Sequence, residues 1–319
     1  MTAGPIGVPG SGAGAARPFP DRLVELVEAR RSQIVLGLDP DPAALWPGSE
    51  RAAPAGDVGV RTAAAVGEHC RQVIDAAGPA CVAVKPQLAC FERLGAPGWE
   101  ALGNVAAHAR LRGLLVIVDG KRGDVPVTAR AYAQALVGET PGPFGAVPGL
   151  GADAFTANPL LGRDALEPLV AAAVERGAGC FVLVRTSNPG AADVQDLPAP
   201  TAPLHAALAA MVDELGVGCV GDSGLSSVGA VAGATSPERL GRLRELMPRA
   251  VFLLPGVGAQ GGAVEELGAA FSPHPAAGLV AASRAIVDAH RDAGGDPPAA
   301  ARTATERLRE SAWAIAGGS

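Results

Sequence analysis

The chain has 319 residues, of which 48% are apolar and only 3% aromatic, and a net charge of −6. That length suits one large α/β barrel or two ordinary domains, with a core packed from small aliphatic side chains. An acidic balance with no basic run gives nucleic acid or an anionic membrane surface nothing to bind, and no apolar stretch approaches the ~20 residues of a membrane-spanning helix.

Residues 1–18 (MTAGPIGVPGSGAGAARP) lack the charged and apolar regions of a signal peptide. Their Gly, Pro and Ala content predicts a disordered tail ahead of one domain at 19–319. Five cysteines, an odd number without C-x-x-C spacing, read as structural thiols in a reduced, cytoplasmic setting. From there the chain alternates. The amphipathic stretch DRLVELVEARR predicts a helix over 21–31, and Ile34–Asp39 the first strand. Strands follow at Cys81–Lys85, Leu114–Asp119, Ala152–Ala157, Cys180–Val184, Val228–Gly233, Val251–Pro255 and Gly278–Ala282. PERLGRLRELMP predicts a helix before the Val251–Pro255 strand. Pro-rich segments at 40–56, 141–149 and 196–203 read as loops. Eight alternating units predict a single-domain (β/α)8 TIM barrel; an open doubly wound sheet is the alternative.

Side chains alternate faces along a strand. Val35, Gly37 and Asp39 share one face, as do Cys81, Ala83 and Lys85. Leu115, Ile117, Asp119 and Lys121 share one if the chain stays extended through Gly120. Each set ends in charge at the carboxyl end of its strand, and a parallel barrel gathers those ends at one mouth. The bland alternative is a set of solvated strand-end charges. The 26 cationic residues decide between the two, because only two are Lys, Lys85 and Lys121, and the rest are Arg. Lys offers what Arg lacks: a compact ammonium that can release its proton. Asp124, in the following loop, is on its own equally a surface charge ahead of a helix at Val125–Pro126.

Pro255–Gly262, PGVGAQGG, supplies glycines that let backbone N–H groups crowd an anion, and a helix N-terminus is expected behind it. A dinucleotide site wants G-x-G-x-x-G early in a βαβ unit with an acid about 20 residues on, whereas this match is late in the chain and its companion is Arg284. Together with Arg284 after the eighth strand, it reads as the phosphate site of a barrel; a plain tight turn and a dinucleotide site are the alternatives. Ser187 and Asn188 in RTSNPG, and Asn158 in TANPLLG, are turn formers or polar contacts at the mouth. The five histidines show no ligand spacing, so no metal site is expected.

Taken together, D-x-K-x-x-D at Asp119, Lys121 and Asp124, with Val125, Pro126 and Thr128 behind it, resembles the orotidine 5'-monophosphate decarboxylase family. So do Asp39 in GLDPDP, Lys85 in VKPQ, SNPG at 187–190, PGVGAQGG and Arg284. The resemblance covers roughly residues 20–290, and DGKRGD, TANPLLG and GATSPERL are similar to its longer bacterial branch. Val257 and Ser283 depart from the pattern, standing in place of a bulkier residue and a glycine.

The resemblance implies a cofactor-free lyase of de novo pyrimidine biosynthesis that converts orotidine monophosphate to uridine monophosphate and CO2. By the same resemblance Lys121 protonates C6, Asp119 faces the substrate carboxylate, and Lys85 and Asp124 complete a Lys–Asp array. Asp39 and Lys85 reach the ribose, Ser187 the base, and Gln260 and Arg284 the phosphate. Asp124 and Thr128 enter a neighbouring subunit's site, which implies a homodimer. The nearest rival is a barrel decarboxylase of a sugar phosphate acid that works through a metal-stabilised enediolate. A catalytically silent phosphate-binding barrel is the other.

Overall fold

A computed structural model describes residues 17–317 apart from Thr201 and Ala259; most of the expected tail lies outside the described residues. Eight parallel strands close into a barrel. In chain order the strands are β1 (Ile34–Leu38), β2 (Ala83–Pro86), β3 (Leu115–Arg122), a separate pair β4 (Glu139–Gly142) and β5 (Gly145–Pro148), then β6 (Ala154–Ala157), β7 (Gly179–Arg185), β8 (Ser226–Ala232), β9 (Ala250–Pro255) and β10 (Gly278–Ala282). The barrel runs β1-β10-β9-β8-β7-β6-β3-β2, with β2 back against β1. All eight expected strands are present, and the open sheet is excluded.

Alternation sorts the apolar residues into two cores. Val35, Ile117, Ala154, Phe181 and Leu253 point inward and fill the barrel, whereas Leu36, Val84, Val118, Phe155 and Phe252 point outward under the helices. Cys81 precedes β2 and packs in the outer core, away from Ala83. Helix Phe19–Arg30 closes the floor of the barrel. Its Phe19, Leu23 and Val27, at successive i,i+4 positions, are at most 1% exposed. The Phe19 ring meets Phe181 edge-on at 5.8 Å. Gly179 leaves room for that ring, because a Cβ there would lie 2.8 Å from it.

Two expectations change. The 141–149 segment is largely an antiparallel hairpin, β4 with β5, rather than a loop; its Pro and Gly content hid the pairing. No α-helix follows the 255–262 glycine loop. Three short 3-10 turns, Val264–Glu266, Gly268–Phe271 and Pro275–Ala277, fill the interval before β10. The helix start on this side of the barrel mouth is the short turn Arg284–Val287 after β10, whose N-cap Ser283 and first residue Arg284 line a cavity with Gly256 and Gln260.

Candidate active site

The carboxyl ends of the strands surround a cavity of about 450 Å³. Leu183, Val231 and Leu253 line it, continuous with the inner core. Asp39, Lys85, Asp119, Lys121, Ser187, Gln260 and Arg284, seven of the nine residues singled out in the sequence, line it too.

Strand β3 does most of the building. Its pairing with β6 runs Ile117 to Ala154 and Val118 to Phe155, then resumes at Arg122 to Ala157. Four steps on β3 thus face two on β6, which is a bulge. Within it Lys121 takes φ +47°, a left-handed conformation that is rare for a residue with a side chain. The chain is therefore not extended through Gly120, yet Lys121 still returns to the mouth. Its Nζ donates to Asp119 Oδ1 at 2.6 Å. Lys85 Nζ, one strand away, donates to Asp119 Oδ2 at 2.7 Å.

Asp119 and Lys85 are 6% and 7% exposed. Burial by itself would raise the Asp119 carboxyl, but the ammoniums of Lys85 and then Lys121 override it and hold the group well below the usual carboxylate range. Burial works against the Lys85 ammonium in turn, and Asp119 followed by Asp39 outweighs it, so Lys85 is raised. The cluster is a fixed cation–anion–cation row whose outer cation, Lys121, has its side chain 41% exposed towards the cavity.

Two further residues belong here that the sequence reading passed over. Thr156 on β6 is 1% exposed. Its Oγ1 donates to Asp119 Oδ1 at 2.9 Å and accepts the Lys121 N–H at 2.9 Å. Gln87, two residues beyond Lys85 on the same face, reaches Asp119 Oδ2 with its Nε2 at 3.5 Å. The available signal was a polar side chain at an inward position of a strand.

Across the cavity, Ser187 Oγ donates to Gln260 Oε1 at 2.7 Å and ties the loop after β7 to the loop after β9. The β9 loop needs its glycines. Gly256, Gly258 and Gly261 have φ of +103°, +73° and +90°, and a Cβ on Gly256 would sit 2.9 Å from Ser187 Cβ. The β7 loop is braced by the Arg185–Asp196 ion pair at 3.0 Å and by Gln195 Oε1, which accepts the Thr186 N–H at 2.7 Å. Arg284 follows β10 and is exposed to the cavity. Of the two departures, Val257 is buried and Ser283 lines the cavity, its Cβ against Gly37.

Asp124 and Thr128 do not line this cavity. Asp124 accepts the Val125 N–H at 2.7 Å ahead of helix Pro126–Leu136, on which Thr128 is exposed. Arg122 points away, pairs with Glu92 and lies over the Tyr132 ring. Asn158 is a turn residue, accepting from Leu160 N at 3.0 Å. Asn188 borders the cavity while accepting from Thr186 Oγ1 at 2.7 Å. His69 is structural: it accepts the Trp46 N–H, and burial pushes it down to about 4. Among the described residues no three His, Cys, Asp or Glu side chains converge to hold a metal ion, and no helix is long and apolar enough to cross a membrane.

Residues 32–303 match the family model described as "Orotidine 5'-phosphate decarboxylase / HUMPS family". The chain belongs to that family. An orotidine 5'-phosphate decarboxylase of Rhodopirellula baltica is 45% identical over 72% of this chain and 75% of its own length. One of Deinococcus radiodurans is 40% identical over 92% of this chain and 96% of its own length. The solved Leishmania donovani OMP decarboxylase superposes with a TM-score of 0.70 at 31% identity, covering 94% of this chain and 99% of that one. The closed eight-stranded parallel barrel described above is the fold this chain shares with that structure.

Proposed function

We propose that the chain decarboxylates orotidine 5'-monophosphate to uridine 5'-monophosphate and CO2 without a cofactor. The observation that carries this reading is the Lys85–Asp119–Lys121 row, bonded at 2.7 and 2.6 Å, in one cavity with Ser187, Gln260 and Arg284. Losing CO2 from C6 of the pyrimidine leaves a carbanion with little delocalisation. Lys121 Nζ stabilises that charge as it develops, then gives C6 a proton. Asp119, held ionised, places negative charge beside the substrate carboxylate, a repulsion that neutral CO2 escapes. Lys85 keeps Asp119 charged and, with Asp39, meets the ribose.

Ser187 meets the base. Gln260, Arg284 and the 255–262 backbone hold the phosphate, and the Ser187–Gln260 bond draws the two loops together over the substrate, so that binding far from C6 is used at C6. Asp124 and Thr128, outside their own cavity, serve the site of a second copy in a homodimer. The setting is cytoplasmic.

The test follows the ultraviolet absorbance of orotidine 5'-monophosphate with chelator present. Steady loss of signal is expected; no loss with well-folded protein overturns the reading. The family model's description carries a second name beside the decarboxylase, and the second reading is a sugar-phosphate acid decarboxylase that works through a metal-stabilised enediolate. Activity abolished by chelator, or retained in Lys121→Ala, favours that one.

A further inference from the structure

We infer that Thr156 is a positioning residue that sets the geometry of both Lys121 and Asp119, an inference that rests on the decarboxylase reading above. The bulge in β3 takes the Lys121 N–H out of the regular ladder with β6, and Thr156 Oγ1 accepts it at 2.9 Å. That bond holds the backbone at φ +47°, a conformation that persists only where the surroundings fix it. A hydroxyl has a single proton to donate. One lone pair accepts the Lys121 N–H, and the single proton goes to Asp119 Oδ1 at 2.9 Å.

Asp119 Oδ1 then accepts from Thr156 and Lys121, and Oδ2 from Lys85. The carboxylate cannot rotate without breaking bonds on both oxygens. One buried hydroxyl thus fixes where the Lys121 chain leaves the backbone and where its ammonium is anchored. Thr156 borders the cavity, but its hydroxyl is spent on these two residues, so it acts through Lys121. A misplacement of about 1 Å in a reacting group can reduce turnover about 10²-fold.

The bland alternative is a strand threonine that merely satisfies its own hydroxyl. The two separate in steady-state kinetics with orotidine 5'-monophosphate and in uridine 5'-monophosphate binding. Thr156→Val preserves shape and removes the hydroxyl; kcat is expected to fall about 10- to 100-fold, with KM and product affinity within about twofold of wild type. Thr156→Ser restores both bonds and should recover kcat to within about threefold, while Thr156→Cys, a weak donor, should behave like Val. Wild-type kcat in the Val or Cys variant overturns the inference. So does a Ser variant as slow as Val, or a Val variant that loses product affinity in step with kcat. If Thr156→Val does not fold, the Ser–Cys comparison decides alone. An inactive wild-type protein sinks the decarboxylase reading and this inference with it; an active one with fully active Val and Cys variants sinks this inference alone.

Discussion

Asp119→Asn removes the anion from between two cations. Lys85 is 7% exposed and its Nζ lies 2.7 Å from Asp119 Oδ2. Removing one member of a buried ion pair typically destabilises by about 3–5 kcal/mol, because the other charge stays buried without compensation. Asp39 also favours the Lys85 ammonium, and the amide keeps one acceptor oxygen, so the lower end, about 3 kcal/mol, is expected. For a chain of this size that is a fall in melting temperature of about 4–5 °C. The pH dependence follows from the depressed Asp119 carboxyl. Its folded-state pKa lies below the unfolded value of about 3.9, so its contribution is complete above that value and is lost as pH falls towards the folded pKa. Thermal and urea unfolding of wild type and variant from pH 8 to pH 2 measures this. The gap should be constant from pH 8 to about 5 and shrink below about 4. A variant as stable as wild type at pH 7, or a gap that persists unchanged to pH 2, refutes the argument.

Arg284→Ala should lower kcat/KM for orotidine 5'-monophosphate about 10- to 150-fold, the range of one or two charge-assisted bonds, and leave turnover of phosphate-free orotidine unchanged. Ser187→Ala and Gln260→Ala share one bond of 2.7 Å, so a double-mutant cycle on kcat/KM should give a coupling of about 0.5–3 kcal/mol instead of additivity. Lys85→Ala and Asp124→Ala subunits, each inactive alone, should regain activity when co-refolded, because each mixed dimer contains one site with neither defect; verified heterodimers without activity count against a shared site.

The barrel was legible because its strands are short apolar runs separated by amphipathic helices, and two-residue alternation sorted inward from outward positions. Asp39, Lys85 and Asp119 could be placed together from parity alone. Lys121 could not: its inward direction comes from a bulge and a positive φ, and lysine has no sequence signature for either. Thr156 was hidden for a different reason. Inside AFTA it looks like an ordinary strand residue, and only the register with β3 brings it against Asp119 and Lys121. The hairpin at 139–148 escaped because prolines in both strands mask the alternation. In place of the helix expected behind the glycine loop, the chain after Gly262 turns through short 3-10 segments.

The central claim is that Lys121 delivers the proton to C6, and a charge-preserving substitution tests it most directly. In Lys121→Arg a cation remains near Asp119, but guanidinium does not readily release a proton. With orotidine 5'-monophosphate and chelator, the wild-type protein should consume the absorbance signal. The Arg variant should be slower by at least about 10²-fold while still binding uridine 5'-monophosphate. An Arg variant that turns over at the wild-type rate would contradict the account.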